Sequence, residues 1–294
     1  MARRGNYDIL GHYTWCVPSL GDMFILLLFL LLGALIGNVI VLLFTAFMGQ
    51  AAAMEYGTMV SYPVMFIPPM LWASAVSRRN SLTYKGARLD NNHFAPQSGW
   101  LCALLAMIAT VACGVLGDAA GSVLPPMPEW LETMLKSMTT GKLWVNFLCV
   151  SIFAPFFEEW LCRGMVLRGL LGRGMKPVWA IMISALFFAV IHMNPWQAIP
   201  AFILGCLFGY VYYRTGSLKL TMLMHFTNNT VALILGHIES LEGKETWMDV
   251  LGVNYWFFFA SCVLLLALVL LAFRRIPLQS PKGNIDIVPA AFGE

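Results

Sequence analysis

The chain has 294 residues, of which 59% are hydrophobic and only 11% are charged, and its formal net charge is +3. Soluble domains usually carry about 25% charged residues, so this composition excludes an ordinary soluble protein, and nucleic acid is not an expected partner. A membrane span needs about 20 predominantly apolar residues, and segments of that kind recur along nearly the whole chain. The sequence therefore predicts an all-α, polytopic membrane helix bundle.

Apolar windows bounded by Gly, Pro and charged residues predict about eight transmembrane helices. Their expected bounds are 23–48, 58–76, 99–117, 143–165, 177–194, 196–213, 217–236 and 254–273. We expect a single transmembrane domain over residues 1–275 and a mobile cytoplasmic tail over residues 276–294. The first apolar segment is longer than the h-region of a signal peptide, about 7 to 15 residues, so we interpret it as a retained anchor.

The positions of Lys and Arg predict how the bundle is oriented. Cytoplasmic segments of membrane proteins collect these residues, and here they cluster near the amino terminus and after the second, fourth, sixth and eighth predicted spans. The alternate loops are rich in Glu and Asp instead. This pattern predicts an integral protein of the plasma (inner) membrane with both termini cytoplasmic, Lys85 inside and Glu242 outside.

Two further patterns concern the loops and the cysteines. Residues 125–140 carry Trp130, Met134, Leu135 and Met138 at helical spacing. This spacing fits a short helix in the outer interface, with an ordinary loop as the alternative.

Most of the seven cysteines fall in apolar segments, where they behave as small hydrophobes. Neither a disulfide framework nor a CxxC metal site is expected.

Ionisable side chains within the later predicted spans are the strongest functional signal, because each costs about 2.5 to 3.5 kcal/mol to insert. The fourth span holds Glu158, Glu159 and Arg163 in the stretch EEWLCR. Arg163 follows Glu159 by four positions, which is the favoured helical spacing for an ion pair. Glu158 points about 100° away and has no such partner, so it suits a general base. The alternative is that all three form an internal polar network.

Polar groups in two later spans extend this set. His192 follows Phe188 by four residues in FAVIH, so both rings share a helix face. His225 and Asn229 are also four residues apart, in HFTNN. A single histidine on an apolar helix is usually a hydrogen-bonded core residue. Three spans that each offer a group suited to hydrolysis favour an active site instead.

These three motifs, Glu-Glu-x-x-x-Arg, Phe-x-x-x-His and His-x-x-x-Asn, resemble a known family in their order and spacing. The family is that of the CAAX protease and bacteriocin-processing (CPBP, or Abi) intramembrane proteases, which includes the Ras-converting type II CAAX prenyl endopeptidase. The resemblance covers residues 143–236, and the segment GYVYYRTGSL before the last motif is also similar. The first three spans carry no motif of the family, so the resemblance does not identify the substrate.

The resemblance implies an intramembrane endopeptidase that cuts a membrane-associated or lipidated peptide near or within the cytoplasmic leaflet. By analogy with the family, Glu158 activates the attacking water and His192 helps to hold it. His225 and Asn229 face the scissile carbonyl and stabilise the oxyanion, a role that hydrogen-bond donors suit. The ion pair of the fourth span orders the site. The substrates that the family suggests are prenylated carboxyl termini, bacteriocin or signalling-peptide precursors and membrane-anchored regulators. Membrane lipids are the other expected partners.

Other interpretations stay open at the sequence level. Family members are described as glutamate-dependent or as metal-dependent, and a Glu, His, His set suits zinc with an open coordination position. Because no HExxH helix is present, we favour a metal-free protease, with zinc as the alternative cofactor. A proton- or ion-coupled transporter also explains buried charges but gives no reason for the His-x-x-x-Asn pair. A non-catalytic scaffold would leave the polar set unexplained.

Overall fold

A computed structural model describes residues 10–82, 86, 88–137, 141–238 and 246–278, apart from the side chains of 134–137. The described residues contain no strand, and the predicted polytopic helix bundle is confirmed. We number its long helical segments α1 to α8. Their bounds are α1 Leu20–Met48, α2 Gln50–Asn80, α3 Gly99–Gly121, α4 Leu143–Gly172, α5 Pro177–Val190, α6 Pro195–Thr215, α7 Leu218–Leu235 and α8 Tyr255–Arg274.

The predicted count of eight spans is not established. Within the described residues, six helices are long and apolar enough to cross a membrane, and neither α5 nor α7 is among them. The helix α5 has 14 residues, which corresponds to about 21 Å against a hydrocarbon core of roughly 30 Å. The helix α7 has 18 residues but carries His225, Asn228 and Asn229, which lower its hydropathy.

Local sequence signals set several helix ends. At the start of α1, Ser19 and Asp22 form a capping box, in which the Asp22 N–H donates to Ser19 Oγ at 3.2 Å and the Ser19 N–H donates to the Asp22 carboxylate at 2.7 Å. Asn194 caps α6 by accepting a backbone N–H bond at 2.9 Å. Between α6 and α7, Gly216 adopts the left-handed conformation, with φ at 62°, and Ser217 then caps α7.

The helices α1 and α2 pack with very close backbones. A Cβ added at Gly33 would lie 2.0 Å from the carbonyl oxygen of Met65, and one at Gly37 would lie 3.2 Å from Ser61. Small residues permit such an approach between membrane helices. The first turns of α2 include a π segment, Ala53–Gly57, so this wall of the bundle is irregular near the end of α1.

The helix α4 runs through the centre of the bundle, and residues 160–171 are all buried. Two π segments, Phe147–Phe153 and Trp160–Leu167, flank the α-helical stretch Ala154–Glu159. Such segments are rare, and they occur frequently at functional sites. Both glutamates of the fourth span lie at the end of this flanked stretch.

The segment before α1, residues 10–18, packs against the end of α4, and we call it the amino-terminal segment. Arg168 is 1% exposed, and its guanidinium donates hydrogen bonds to backbone carbonyls. The acceptors are Tyr13, Thr14, Cys16 and Gly164. Next to it, a Cβ added at Gly169 would lie 2.5 Å from the carbonyl oxygen of Pro18. The amino-terminal segment is therefore part of the packed domain.

The remaining loop predictions have separate outcomes. A helix at Glu129–Ser137 confirms the predicted short helix, with Trp130 69% exposed and Leu131 2% exposed. One face of this helix therefore packs on protein. Its place in the outer interface stays a prediction, and Met138 and the side chains of Met134 and Leu135 lie outside the described part of the chain. Lys85, Glu242 and the tail beyond residue 278 lie outside the described residues, so their expected positions stay predictions.

Candidate active site

Glu158 lines a cavity of ≈ 840 Å³ between α1, α2, α4 and the turn that joins α5 to α6. The hydroxyl of Tyr62, on α2, donates a hydrogen bond to Glu158 Oε1. The other carboxylate oxygen, Oε2, is 4.0 Å from His225 Nε2 on α7. The expectation that Glu158 has no partner is therefore wrong. Its partner comes from a tyrosine 96 positions earlier in the chain, far beyond the reach of helical spacing.

Glu159 and Arg163 form an ion pair inside the protein. Arg163 Nη1 is 2.7 Å from Glu159 Oε1, and both side chains are fully buried. Arg163 Nη2 donates to the carbonyl oxygen of Gly205 at 3.0 Å. The guanidinium carbon also lies 4.7 Å and 5.3 Å from the ring centres of Phe188 and Phe208, a cation–π arrangement. The helices α4, α5 and α6 therefore meet around this one arginine.

His225 lies between the two glutamates. Its Nδ1 is 3.1 Å from Glu159 Oε1, and because a carboxylate paired with arginine only accepts hydrogen bonds, Nδ1 carries the proton. The ring packs edge-on against Phe188, with 5.4 Å between ring centres. This leaves Nε2 as the atom that faces Glu158.

His192 lies just beyond the end of α5 and lines the same cavity as Glu158. Its Nδ1 donates to the carbonyl oxygen of Phe188 at 2.7 Å, and its ring packs edge-on against the Phe188 ring at 4.9 Å. Because a carbonyl oxygen only accepts, Nδ1 carries the proton and Nε2 is the acceptor. The cavity extends from the middle of α4 to the turn after α5, and so it includes both residues.

Asn229 is placed differently from the sequence expectation. Its Nδ2 donates to the carbonyl oxygen of Val150 at 2.8 Å, in the first π segment of α4. Its Oδ1 accepts a hydrogen bond from Asn228 at 3.1 Å. Among the described residues, those that line the cavity include neither Asn229 nor His225. The amide of Asn229 is therefore engaged with the backbone of α4.

Tyr62 is the site residue that sequence reasoning missed, because no recognised motif marks the first three spans. The available signal is the stretch SYP, residues 61–63, which places a phenol inside an apolar helix, where the hydroxyl usually needs a partner. The ring of Tyr62 lies 5.7 Å from that of Phe66, which stacks on Phe157 at 5.0 Å. Aromatic contacts therefore hold Tyr62 beside α4.

The described residues include no three side chains that are grouped as a zinc site requires. A catalytic zinc ion needs three protein ligands around one point. The described part of the chain contains no group of three or more His, Cys, Asp or Glu side chains that could hold a metal ion. Glu158 is 4.0 Å from one histidine, His225, but the three proposed ligands do not converge. No step of the mechanism below therefore passes through a metal.

Comparisons with known proteins add a family to this geometry. Residues 140–231 match the family model described as type II CAAX prenyl endopeptidase Rce1-like, and this segment contains every site residue predicted from the motifs. The chain is also 27% identical over 137 residues to an uncharacterized 24.3 kDa protein of Escherichia coli. That alignment covers 45% of this chain and 63% of the relative, so the match spans under two thirds of the relative's length. No solved structure matches the chain significantly.

Proposed function

We propose that the protein is an intramembrane endopeptidase that uses Glu158 as its general base, because residues 140–231 match the Rce1-like CAAX protease family model. One observation carries this proposal: a carboxylate on a cavity wall has one oxygen held by Tyr62 and the other directed at His225. A general base must be held within reach of the proton that it removes. This arrangement supplies a fixed base beside a space large enough for a peptide.

In the proposed mechanism, Glu158 takes a proton from water while the water oxygen bonds to the scissile carbonyl carbon. The 4.0 Å between Glu158 Oε2 and His225 Nε2 is too long for a direct hydrogen bond. A water molecule bound to both atoms fits that separation. The proton on Glu158 then passes to the leaving amine as the C–N bond breaks, which restores the base.

The Glu159–Arg163 pair has a positioning role in this proposal. Arg163 balances the charge of Glu159, and Glu159 in turn holds the Nδ1 proton of His225. A neighbour that fixes the histidine tautomer also fixes which nitrogen faces the water. Neither member of the pair needs to touch the substrate, and the pair acts on the reaction through His225.

His192 and Asn229 receive different roles. Because Nδ1 of His192 is bound to a backbone carbonyl, its Nε2 is the atom able to accept a hydrogen bond from water in the cavity. Asn229 satisfies the Val150 carbonyl at a π segment of α4. We therefore assign Asn229 a positioning role, through the shape of α4, in place of direct contact with the oxyanion.

The proposed substrate is a peptide or protein at the membrane. The family name refers to prenylated CAAX sequences, so a fluorogenic peptide with a farnesylated cysteine is the first probe, and the same peptide without the lipid is its control. Comparative proteomics of membranes with the wild-type protein or Glu158→Ala then searches for native substrates. Peptides whose cleavage disappears in the variant support the proposal, and identical peptide sets in both membranes would contradict it.

Removing the hydroxyl of Tyr62 tests whether it acts through Glu158. Tyr62→Phe keeps the ring and its packing on Phe66. We expect kcat to fall about 10-fold to 150-fold with KM nearly unchanged, because a hydrogen bond to a charged group contributes about 1.5–3 kcal/mol. Steady-state kinetics in proteoliposomes measure both constants.

Tyr210→Phe is the matched control for Tyr62→Phe. This tyrosine donates to the carbonyl oxygen of Leu270 on α8 at 3.3 Å, away from the cavity, so the same loss of a hydroxyl should leave kcat unchanged. Equal kcat values for Tyr62→Phe and the wild type would remove Tyr62 from the mechanism.

The metal-free mechanism makes its own prediction. Protein washed with a chelator should keep its activity, and elemental analysis should find no stoichiometric zinc, because the three proposed ligands do not converge. If the washed protein loses activity together with about one zinc ion per chain, and added zinc restores it, the zinc mechanism is correct.

A further inference from the structure

The amino-terminal segment lies between the ends of α2 and α4 and forms hydrogen bonds with both helices. On the α2 side, the N–H of Trp15 donates to Ser77 Oγ at 3.1 Å. Asn80 Nδ2 donates to the carbonyl oxygen of Trp15 at 3.3 Å. Cys16 is fully buried in a hydrophobic cluster that also contains residues of α2 and α4. The segment therefore fills the space between the two helices at this end of the bundle.

Arg168 holds the segment on the α4 side. Its Nε donates to the carbonyl oxygen of Gly164 at 2.7 Å, which fixes the plane of the guanidinium on its own helix. Its Nη1 donates to the carbonyl oxygen of Thr14 at 3.3 Å, and its Nη2 donates to those of Tyr13 and Cys16. A planar fork of donors suits several carbonyls at once, whereas a lysine ammonium is a single point. Arg168→Lys therefore keeps the charge but loses most of these bonds.

Aromatic side chains connect this segment to the candidate active site. The ring of Tyr13 packs edge-on against that of Trp160 on α4, with 5.2 Å between ring centres. The rings of Phe66 on α2 and Phe157 on α4 stack at 5.0 Å. All four rings belong to one hydrophobic cluster. Because protein interiors are close-packed and transmit strain, a displacement of the segment reaches the contact between α2 and α4.

The hydrogen bond between Tyr62 and Glu158 depends on the distance between α2 and α4, because each helix contributes one of its two partners. Ser77 follows Tyr62 by about 22 Å along α2, and Arg168 follows Glu158 by about 15 Å along α4. A hydrogen bond is lost beyond about 3.5 Å, so a separation that grows by about 1 Å removes it. The spacing that the amino-terminal segment sets therefore decides whether Tyr62 holds the base.

We propose that Arg168 is a positioning residue for the general base. By binding the amino-terminal segment to α4, Arg168 keeps α2 close enough for the hydroxyl of Tyr62 to reach Glu158. Its effect on catalysis rests on the proposed function, whereas its effect on the spacing of the helices rests on the contacts alone. Arg168 belongs to none of the three motifs and is not among the described residues that line the cavity, so it acts on the reaction through Tyr62.

A double-mutant cycle tests whether Arg168 acts through Tyr62. The kcat of Arg168→Lys is measured in proteoliposomes, in the wild-type background and in the Tyr62→Phe background. In the wild-type background we expect kcat to fall about 10-fold, and no further than it falls in Tyr62→Phe. In the Tyr62→Phe background the same change should alter kcat by less than about 2-fold, because the hydrogen bond is already absent. A wild-type kcat for Arg168→Lys, or an equal fall in both backgrounds, would overturn the proposal.

Arg214→Lys is the matched control for Arg168→Lys. Arg214 also donates to several carbonyls, including those of Phe273 and Arg274 at 3.3 and 2.6 Å, but at the end of α8. Its replacement should leave kcat unchanged in both backgrounds, and a fall as large as that of Arg168→Lys would contradict the proposal. If Arg168→Lys does not fold, Ser77→Ala takes its place. It removes the acceptor of the Trp15 N–H on α2 and should show the same dependence on the background.

A distance measurement tests the spacing of the helices without any substrate. Spin labels are attached to Leu82→Cys, just after α2, and to Lys176→Cys, just after α4, both at exposed positions. The background carries Cys149→Ala and Cys206→Ala, which removes the two half-buried cysteines, while the other five are buried. Pulsed electron paramagnetic resonance then gives the distribution of distances between the two labels.

We expect Arg168→Lys to lengthen or broaden this distribution and Arg214→Lys to leave it unchanged. A wild-type distribution in Arg168→Lys would overturn the proposal, because the spacing would then not depend on this arginine. If the wild-type protein cleaves neither the fluorogenic peptide nor any native substrate, the proposed function is contradicted. The label distances still decide, in that case, whether Arg168 sets the spacing of α2 and α4.

Discussion

Glu158→Gln should abolish proteolysis while the protein stays inserted and folded. Glutamine keeps the shape of the side chain and still accepts the hydrogen bond from Tyr62, but it cannot take a proton from water. General base catalysis contributes about 100-fold to 10,000-fold, so we expect turnover to fall by at least the lower figure. Initial rates on purified protein in proteoliposomes, with the thermal unfolding midpoint measured in parallel, provide the comparison.

A chemically identical change at a distant position is the control for Glu158→Gln. Glu129 is exposed at the start of the helix Glu129–Ser137, and Glu129→Gln should leave both turnover and thermal stability as they are. Wild-type turnover in Glu158→Gln would remove this glutamate from the role of base. Lost turnover accompanied by a lower unfolding midpoint would instead indicate a folding defect.

Glu159→Gln should behave differently from Glu158→Gln, since it should lower stability as well as activity. The change leaves Arg163, which is fully buried, without its anionic partner. Breaking a buried ion pair by removing one member typically costs about 3–5 kcal/mol. Activity should fall too, because His225 loses the carboxylate that holds its Nδ1 proton. The unfolding midpoint in detergent and the turnover number are the two measurements.

A double variant that removes the charges of Glu159 and Arg163 separates the effect of Glu159 on stability from its effect on activity. In the double variant Glu159→Met with Arg163→Leu, no uncompensated charge remains, and apolar replacements of buried pairs are often neutral or stabilising. We expect stability to recover in large part while activity stays low, because His225 is still without its anchor. If activity recovered along with stability, the Glu159–Arg163 pair would be needed for stability and not for catalysis.

Hydropathy predicts much of the fold, and the positions where that prediction fails have a physical cause. The third and sixth spans, predicted at 99–117 and 196–213, agree closely with Gly99–Gly121 and Pro195–Thr215. The second span is predicted at 58–76, but the helix runs over Gln50–Asn80. Its first turns carry Glu55, which lines the cavity beside Glu158, where a polar side chain is tolerated.

The contacts of the candidate site are also only partly predictable from the sequence. The ion pair Glu159–Arg163 follows from helical spacing, and the structure has it at 2.7 Å. The partner of Glu158 does not follow from helical spacing, because Tyr62 lies on α2 and its hydroxyl binds Glu158 on α4, 96 positions later in the chain. The hydrogen bond of Asn229 does not follow from helical spacing either, because it joins α7 to the carbonyl oxygen of Val150 in the first π segment of α4. Spacing rules describe one helix at a time and carry no information on how helices meet.

The contact between Arg168 and the amino-terminal segment has a consequence for biosynthesis. The two partners are separated by 152 positions at Cys16, so the acceptors leave the ribosome long before the donor. At about 5–20 residues per second, the delay is roughly 8 to 30 s. During that interval α1, α2 and α3 enter the membrane, and the segment has no α4 on which to dock. Its docking onto α4 is then a late step of assembly, and a nascent chain arrested before Arg168 emerges should leave the segment sensitive to added protease.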